Sequence, residues 1–271
     1  MKLNWLAKGM RPRYPFSLGS TSYVIPADIL PNVRRLAPLV DDVELVLFET
    51  PTASNMPSAA VVRELRELAD EHETGFTVHL PTADRAGSSS RAERKRYRAS
   101  ALRVMDVCAD LAPRAWVAHA EGIASGASAT EISAWQGWCG DLLAELAAAA
   151  PTSAPVAVEN LGYPWRWHSE TARAAGCALC CDVGHLWVDR PDTWLEEVEA
   201  MLPRTVVVHL HGVCDGKDHL SLRKGSEQPC RELLDLMRQT MYTGVVTLEV
   251  FNEEDFVESA LMVRSLWETL S

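Results

Sequence analysis

Short apolar runs recur along the chain, and longer segments with helical periodicity separate them. The runs are rich in Val and Leu and lack the polar alternation of an edge strand, which is the pattern of buried parallel strands. The predicted strands are Phe16–Gly19, Val43–Glu49, Gly75–His79, Ala115–His119, Pro155–Glu159, Ala178–Asp182, Thr205–His209 and Val245–Glu249. Segments predicted to be helices include Pro57–Glu73, Arg91–Ala112, Thr130–Ala150, Thr193–Leu202, Glu227–Tyr242 and Glu253–Leu270. Alternating β and α units of this number predict a closed (β/α)₈ TIM barrel, with a doubly wound open sheet as the weaker alternative.

The length of 271 residues fits a single barrel. Residues 16–271 are predicted to form it, residues 1–15 to be an N-terminal extension, and Thr82–Ser90 to be a loop. The N-terminus has no continuous apolar core and no small-residue cleavage site, and no apolar run reaches the roughly 18 residues of a membrane span. The sequence therefore predicts a cytoplasmic protein with no membrane partner.

Cysteine content and net charge indicate the state of the thiols and the kind of molecule that the protein binds. The seven cysteines are odd in number and scattered, which predicts reduced thiols, and Cys177 and Cys180 are predicted to be core thiols despite their C-x-x-C spacing. A net charge of −11 argues against a nucleic-acid partner, because such proteins usually need a basic surface. A small-molecule substrate is expected, and the oligomeric state is left open.

The residues that end the predicted strands carry the chemistry. Seven of the eight are of types that bind metals, namely Glu49, His79, His119, Glu159, Asp182, His209 and Glu249. Strand ends of a barrel converge on one mouth, and several carboxylates buried together need a positive charge to neutralise them. Mixed imidazole and carboxylate ligands favour divalent Zn, Mn, Fe or Co. A metal site is therefore predicted, with the identity of the metal open.

Further histidines lie just beyond the strand ends. Gly184 lets the chain bend within Asp182-Val-Gly-His185, so that both side chains could serve one centre or two neighbouring ones. His209 and His211 have period-two spacing, which aims both rings to one side of the strand. One ring is a candidate metal ligand, and the other is a candidate contact behind the metal or with the substrate. His219 also lies beyond a strand end, whereas His72 and His168 do not and are interpreted as scaffold.

Aromatic and basic residues supply candidate substrate contacts. Tyr163, Trp165 and Arg166 follow Glu159 and are predicted to overhang the mouth and bind substrate, with a packed lid as an equal alternative. Tyr23 and Trp187 are candidates on the same grounds. The basic face of Arg91, Arg94, Lys95 and Arg98 is interpreted as solvated, with phosphate contact as the lesser alternative. Motifs of P-loop, Rossmann and nucleophile-elbow sites are absent from the sequence.

The strand-end set resembles the xylose isomerase-like superfamily of barrels, which includes sugar epimerases and endonuclease IV-type phosphodiesterases. In the epimerases, one metal is held by residues corresponding to Glu159, Asp182, His209 and Glu249. The endonuclease pattern adds histidines that match His79, His119, His185 and His219, so the fuller set implies a phosphodiesterase with one to three metals. That pattern has an aspartate where this chain has Lys217, with Asp215 and Asp218 nearby.

The segments Leu18–Asn32 and Asp41–Glu49 are similar to the cobamide-remodelling phosphodiesterase family. This resemblance implies cleavage of the nucleotide loop of a corrinoid such as cobalamin, giving a cobinamide phosphate and a riboside of the lower ligand. Glu49 has no counterpart in the endonuclease ligand set, so it is a candidate ligand, acid or base, or substrate contact.

The resulting hypothesis is a metal-dependent hydrolase for cobamide salvage. Glu159 or Glu249 would bridge two or more cations that activate a water for attack on phosphorus, with Glu49 as a further catalytic candidate. A single-metal sugar isomerase or epimerase is one alternative, disfavoured by the extra histidines. A non-catalytic corrinoid-binding or metal-binding protein is the other, and turnover would separate it from both.

Overall fold

Eight parallel strands close into a barrel in the computed structural model, which describes residues 13–50 and 52–270. Around the barrel the order is β1-β10-β7-β6-β5-β4-β3-β2. The barrel strands are β1 Ser17–Thr21, β2 Asp42–Val46, β3 Gly75–His79, β4 Trp116–His119, β5 Val156–Glu159, β6 Ala178–Asp182, β7 Thr205–Leu210 and β10 Val245–Leu248. The predicted (β/α)₈ fold is confirmed. Residues 1–12 of the predicted extension lie outside the described residues.

Helices form the outer layer. They are α1 Ile29–Leu36, α2 Ala59–His72, α3 Arg91–Val107, α4 Ala129–Ala149, α5 Trp165–Ala174, α6 Val183–Asp189, α7 Trp194–Met201, α8 Glu227–Gln239 and α9 Glu253–Thr269. Short 3₁₀ turns follow α3 and α7 at Ala109–Leu111 and Leu202–Arg204. An antiparallel hairpin, β8 Gly212–Cys214 and β9 Lys217–Leu220, follows β7. Within the described residues, no helix is long and apolar enough to cross a membrane.

The hairpin and the helices α1, α5 and α6 were not among the predicted elements, and β2 is shorter than predicted. The strand ends at Val46 because the Asn55 side chain occupies the backbone groups that follow it. Asn55 Nδ2 donates to the Val46 carbonyl at 2.9 Å, and Asn55 Oδ1 accepts from Phe48 N–H at 2.7 Å. Glu49 therefore lies beyond the strand and not at its end. The predicted loop Thr82–Ser90 is confirmed.

The barrel lumen is apolar on one side and polar on the other. The apolar side consists of Ala115, Val117, Ala157, Cys180, Val207 and Val245, which form a cluster separate from the main core between strands and helices. The polar side consists of Asp42, Glu44, Thr77 and Thr247, all fully buried, on β2, β3 and β10. The cysteines form no disulfide within the described chain, and Cys177 and Cys180 are buried as predicted.

Asp42 is the carboxylate nearest the base of the lumen. Arg114 Nε lies 3.6 Å from its Oδ2, and Thr77 also favours its ionised form. Burial raises the pKa of Asp42 from 3.8 to about 7, although Arg114 opposes the shift. Between these two pH values the unfolded chain releases the proton while the folded protein keeps it. Stability is therefore lost as the pH rises through this window.

Replacing Asp42 by Asn should remove this loss of stability at high pH. We expect the free energy of unfolding of Asp42→Asn, minus that of wild type, to increase by at most about 4 kcal/mol as the pH is raised from 4 to 8. Urea denaturation of metal-free protein at several pH values measures the gain. Asp106→Asn, at an exposed position on α3, is the matched control. A difference between Asp42→Asn and wild type that does not vary with pH would contradict the account.

Candidate metal centre

Side chains from the carboxyl ends of neighbouring strands meet around Glu159, which is 1% exposed at the end of β5. Glu159 Oε2 lies 3.2 Å from His119 Nε2, 3.5 Å from His79 Nε2 and 3.4 Å from His209 Nδ1. Its other oxygen, Oε1, lies 3.8 Å from His185 Nδ1. Four of the predicted histidine ligands therefore surround one buried carboxylate.

A second group of donors lies beside the first. Glu249 Oε2 is 3.1 Å from His209 Nδ1 and 3.6 Å from His219 Nε2, and Asp182 Oδ2 is 3.4 Å from His185 Nδ1. Ring nitrogens of His185, His211 and His219 lie within 4.8 Å of one another. All eight predicted metal ligands thus belong to one continuous cluster.

Several imidazoles are oriented by a contact behind them. His79 Nδ1–H donates to the Leu80 carbonyl at 2.9 Å, and His119 Nδ1–H donates to Glu121 at 2.9 Å. His209 Nε2–H donates to the fully buried Glu44 at 3.0 Å. In each ring the nitrogen that carries no such bond faces Glu159, which is the arrangement that fixes the tautomer of a histidine ligand.

The free nitrogens and oxygens are arranged as ligands of a common ion. His79 Nε2 and His119 Nε2 face each other at 3.2 Å, and two facing lone pairs repel unless a positive charge lies between them. His209 Nδ1 and Glu249 Oε2 are buried without a hydrogen-bond partner among the described residues, although they are 3.1 Å apart. Donors about 2.1 Å from a tetrahedral cation lie about 3.4 Å from one another. The donor set therefore fits divalent transition metals.

The charges of the cluster also favour a cation. Burial opposes a charge on His119, but Glu159 and Glu121 outweigh it and raise the pKa of His119 to about 10. Burial likewise disfavours an ionised Glu159, yet His119 and His209 hold its pKa well below its usual value. The carboxylates thus attract positive charge strongly, and a bound metal would displace protons from these imidazoles.

The hairpin that follows β7 carries the last histidine. His219 has a φ of 52°, in the left-handed region that non-glycine residues rarely adopt. Asp218 Oδ1 lies 3.0 Å from His219 Nδ1, and its Oδ2 lies 3.8 Å from His185 Nε2. Asp215 is in the exposed turn of the hairpin, and Lys217 is also exposed. Asp218 is therefore the carboxylate that approaches the cluster from this side.

Glu49 is not brought into the cluster. It forms an ion pair with Arg103 of α3, at 2.7 Å between Oε1 and Nη1, and a short bridge with Ser54. Its predicted catalytic or ligand role stays a prediction.

The predicted aromatic contacts have different surroundings. Tyr163 is 5% exposed, donates its hydroxyl hydrogen to the Ala120 carbonyl and stacks on Trp167, as in the packed-lid alternative. Trp165 and Arg166 begin α5, with the exposed Arg166 guanidinium 5.3 Å from the centre of the Trp165 ring.

Tyr23 and Trp187 also have protein partners. The Tyr23 hydroxyl oxygen accepts from Asn55 Nδ2 at 2.7 Å. The ring of Trp187 packs edge-on against Trp194 at 5.7 Å between centres. Two aromatic rings not singled out from the sequence, Phe48 and Phe251, are 38% and 46% exposed in loops after β2 and β10.

Residues 40–266 match the family model described as a xylose isomerase-like TIM barrel. This chain belongs to that family. The fold and the superfamily resemblance are thus confirmed for this xylose isomerase-like barrel. A search of curated proteins gave no match.

Solved structures share the fold at low sequence identity. A D-tagatose 3-epimerase-like protein is 21% identical, with a TM-score of 0.78 over 94% of this chain and 98% of that chain. The E. coli 3-keto-D-glucoside 4-epimerase is 15% identical, with a TM-score of 0.70 over 94% and 98%. Endonuclease IV from Thermus thermophilus is 18% identical, with a TM-score of 0.68 over 93% and 99%. Because barrels of both reaction types are similar to this chain, the reaction has to be argued from the site.

Proposed function

We propose that this barrel is a metal-dependent phosphodiesterase with at least two divalent cations. The observation that carries the proposal is the number of donors. Imidazoles approach both oxygens of Glu159, and Asp182, Glu249 and His219 add donors beyond them. A single zinc ion accepts only four or five ligands. If one cation were bound, the remaining donors would have no metal to bind.

The residues of the chain would hold the reacting groups in place. Glu159 separates the His79 and His119 side of the cluster from the His185 side, so its two oxygens suit two neighbouring cations. When bound, such cations neutralise phosphate oxygens and lower the pKa of a water molecule. His185 and His219 have side chains 22% and 27% exposed, so they face the space from which a substrate enters.

The proposed substrate is a cobamide, cleaved in its nucleotide loop. Support comes from the resemblance of Leu18–Asn32 and Asp41–Glu49 to the cobamide-remodelling family. These segments include the loops after β1 and β2, at the mouth of the barrel, where Tyr23 and the exposed Phe48 lie. Phe251 lies 5.3 Å from the His219 ring on the same rim. Aromatic side chains of this kind suit the apolar face of a large flat ligand.

A single-metal sugar epimerase is the second candidate. His209 Nδ1 lies 3.1 Å from Glu249, 3.4 Å from Glu159 and 4.0 Å from Asp182, so these four side chains can hold one cation by themselves. In that case two carboxylates would serve as acid and base at a sugar carbon.

The number of cations that turnover requires separates the two functions. Metal-free protein, prepared by chelation, would be titrated anaerobically with Zn²⁺, Mn²⁺, Fe²⁺ or Co²⁺. At each step, cobalamin cleavage and ketohexose epimerisation would be followed by liquid chromatography with mass spectrometry. We expect cobinamide phosphate and a riboside to form only above one equivalent of metal. One cation cannot be bound by His79 and His119 on one side of Glu159 and by His185 on the other side at the same time.

Other outcomes would contradict the proposal. Full phosphodiester cleavage by metal-free protein would exclude the metal role. Epimerisation that saturates at one equivalent would favour the second candidate. Tight binding of metal and corrinoid without turnover would indicate a binding protein. His72→Gln, on α2 outside the cluster, is the control for nonspecific metal binding.

A further inference from the structure

His211 lies at the centre of the elements that carry the late ligands, yet it is fully buried and no substrate can reach it. It follows the ligand His209 by two residues on the path from β7 into the hairpin. Both of its ring nitrogens have close partners within the protein. The role of this residue therefore has to be found in what those partners do.

The Nδ1 atom of His211 accepts a hydrogen bond. The backbone N–H of His219 donates to it at 2.9 Å, so no proton can lie on Nδ1. The Gly212 carbonyl is 3.5 Å from the same atom, at the far limit of a hydrogen bond, and is the weaker contact. A neutral imidazole carries its one proton on the other nitrogen. His211 is thus held as the tautomer protonated at Nε2.

The Nε2 atom of His211 faces Asp182. It lies 3.2 Å from Asp182 Oδ1 and 3.4 Å from Oδ2, so its N–H contacts both oxygens of the carboxylate. Oδ1 also accepts from His185 N–H at 2.7 Å, and Oδ2 also faces His185 Nδ1 at 3.4 Å and His209 Nδ1 at 4.0 Å. We propose that His211 is a positioning residue, which orients the Asp182 carboxylate towards the metal and fixes the backbone of His219, and that it is not itself a ligand.

The packing around the ring supports this role. A Cβ atom at position 184 would lie only 2.0 Å from His211 Cε1, so the ring fits only because that residue is Gly184. The other face of the ring stacks on His219, with 4.3 Å between centres and 16° between planes. His211 therefore joins β6, α6 and the hairpin. The inference applies to either reaction considered above, because both use Asp182.

Three substitutions separate the two hydrogen bonds. His211→Asn keeps an acceptor near the position of Nδ1, His211→Gln keeps a donor near the position of Nε2, and His211→Leu keeps neither. We expect His211→Leu to weaken zinc binding by about 10- to 100-fold and to speed hydrogen exchange of the His219 amide. His211→Asn should retain amide protection but weaken zinc binding. His211→Gln should do the reverse.

Zinc affinity would be measured by competition with a chelator, and amide exchange by mass spectrometry of metal-free protein. Nitrogen NMR of ¹⁵N-histidine-labelled protein would report the tautomer directly, and we expect Nε2 of His211 to carry a proton before and after zinc is added. A His211 nitrogen that loses its proton on zinc binding would make His211 a ligand and overturn the proposal. So would wild-type affinity and exchange in His211→Leu.

The matched control is His168→Leu. His168 is equally buried, but neither of its nitrogens has a hydrogen-bond partner among the described residues. We expect its replacement to leave zinc affinity and His219 exchange unchanged. If His211→Leu fails to fold, the opposite effects of the Asn and Gln variants still test the inference, and equal effects of these two would contradict it.

Discussion

Replacing Glu159 by Gln is expected to lower turnover by about a thousandfold or more, whichever reaction the barrel performs. Glu159 is 1% exposed and contacts imidazoles through both of its oxygens. An amide of the same shape has no charge to balance cations, and it offers one oxygen where the carboxylate offers two. The same substitution should also reduce the amount of metal that copurifies with the protein.

Turnover and metal content should be measured on the same preparation, the first by chromatography of the products and the second by elemental mass spectrometry. Glu145→Gln changes the same group on the exposed face of α4 and should alter neither quantity. Wild-type metal content together with wild-type turnover in Glu159→Gln would rule out a central role for this carboxylate. Normal metal content with lost turnover would assign Glu159 to the reaction and not to metal binding.

The sequence predicted the barrel and the eight candidate metal ligands that meet in one cluster because both leave a local signal. Buried parallel strands appear as continuous apolar runs, and metal-binding residue types end most of these runs. His79, His119, Glu159 and Asp182 all end strands in the structure as predicted. The strand pattern also sets the direction of each chain segment, so the common mouth followed from topology alone.

The errors arose where the signal depends on contacts between distant residues. Glu49 ends an apolar run, but Asn55, which follows in the next loop, ends the strand early at Val46. Glu44 was missed because it interrupts an apolar strand from within, and its partner His209 is 165 residues away. The sequence left two alternatives for the aromatic residues near Glu159, and Tyr163 packs into the core through the rings around it, as in the packed-lid alternative.

The polar side of the barrel lumen lies in contact with the candidate metal centre through Glu44. Glu44 and Thr77 lie side by side in the register of β2 and β3, and Glu44 reaches across to His209. Branched apolar side chains usually fill the lumen of such barrels. Here a buried carboxylate replaces one of them, and it stabilises the protein only where a partner satisfies it. The departure from an apolar lumen is therefore explained at Glu44 by its hydrogen bond to His209, a candidate metal ligand.

The second large effect is expected at Glu44, which accepts a hydrogen bond from His209 in the cluster. Glu44→Leu fills a similar volume but leaves His209 Nε2–H without an acceptor, so the ring can rotate or change its tautomer. We expect metal affinity to fall by about 10- to 100-fold, as is typical when the contact behind a histidine ligand is removed. Glu44→Gln can still accept the hydrogen bond through its amide oxygen and should lose much less.

Calorimetric titration of the metal-free proteins with metal measures the affinities of wild type, Glu44→Gln and Glu44→Leu. Thr77→Val, at the position beside Glu44 in the register of β2 and β3, controls for a change of polarity in the lumen and should leave the affinity unchanged. Equal losses for Glu44→Leu and Glu44→Gln would mean that the charge of Glu44, and not its hydrogen bond, supports the metal. Wild-type affinity in Glu44→Leu would show that the surrounding strands alone orient His209.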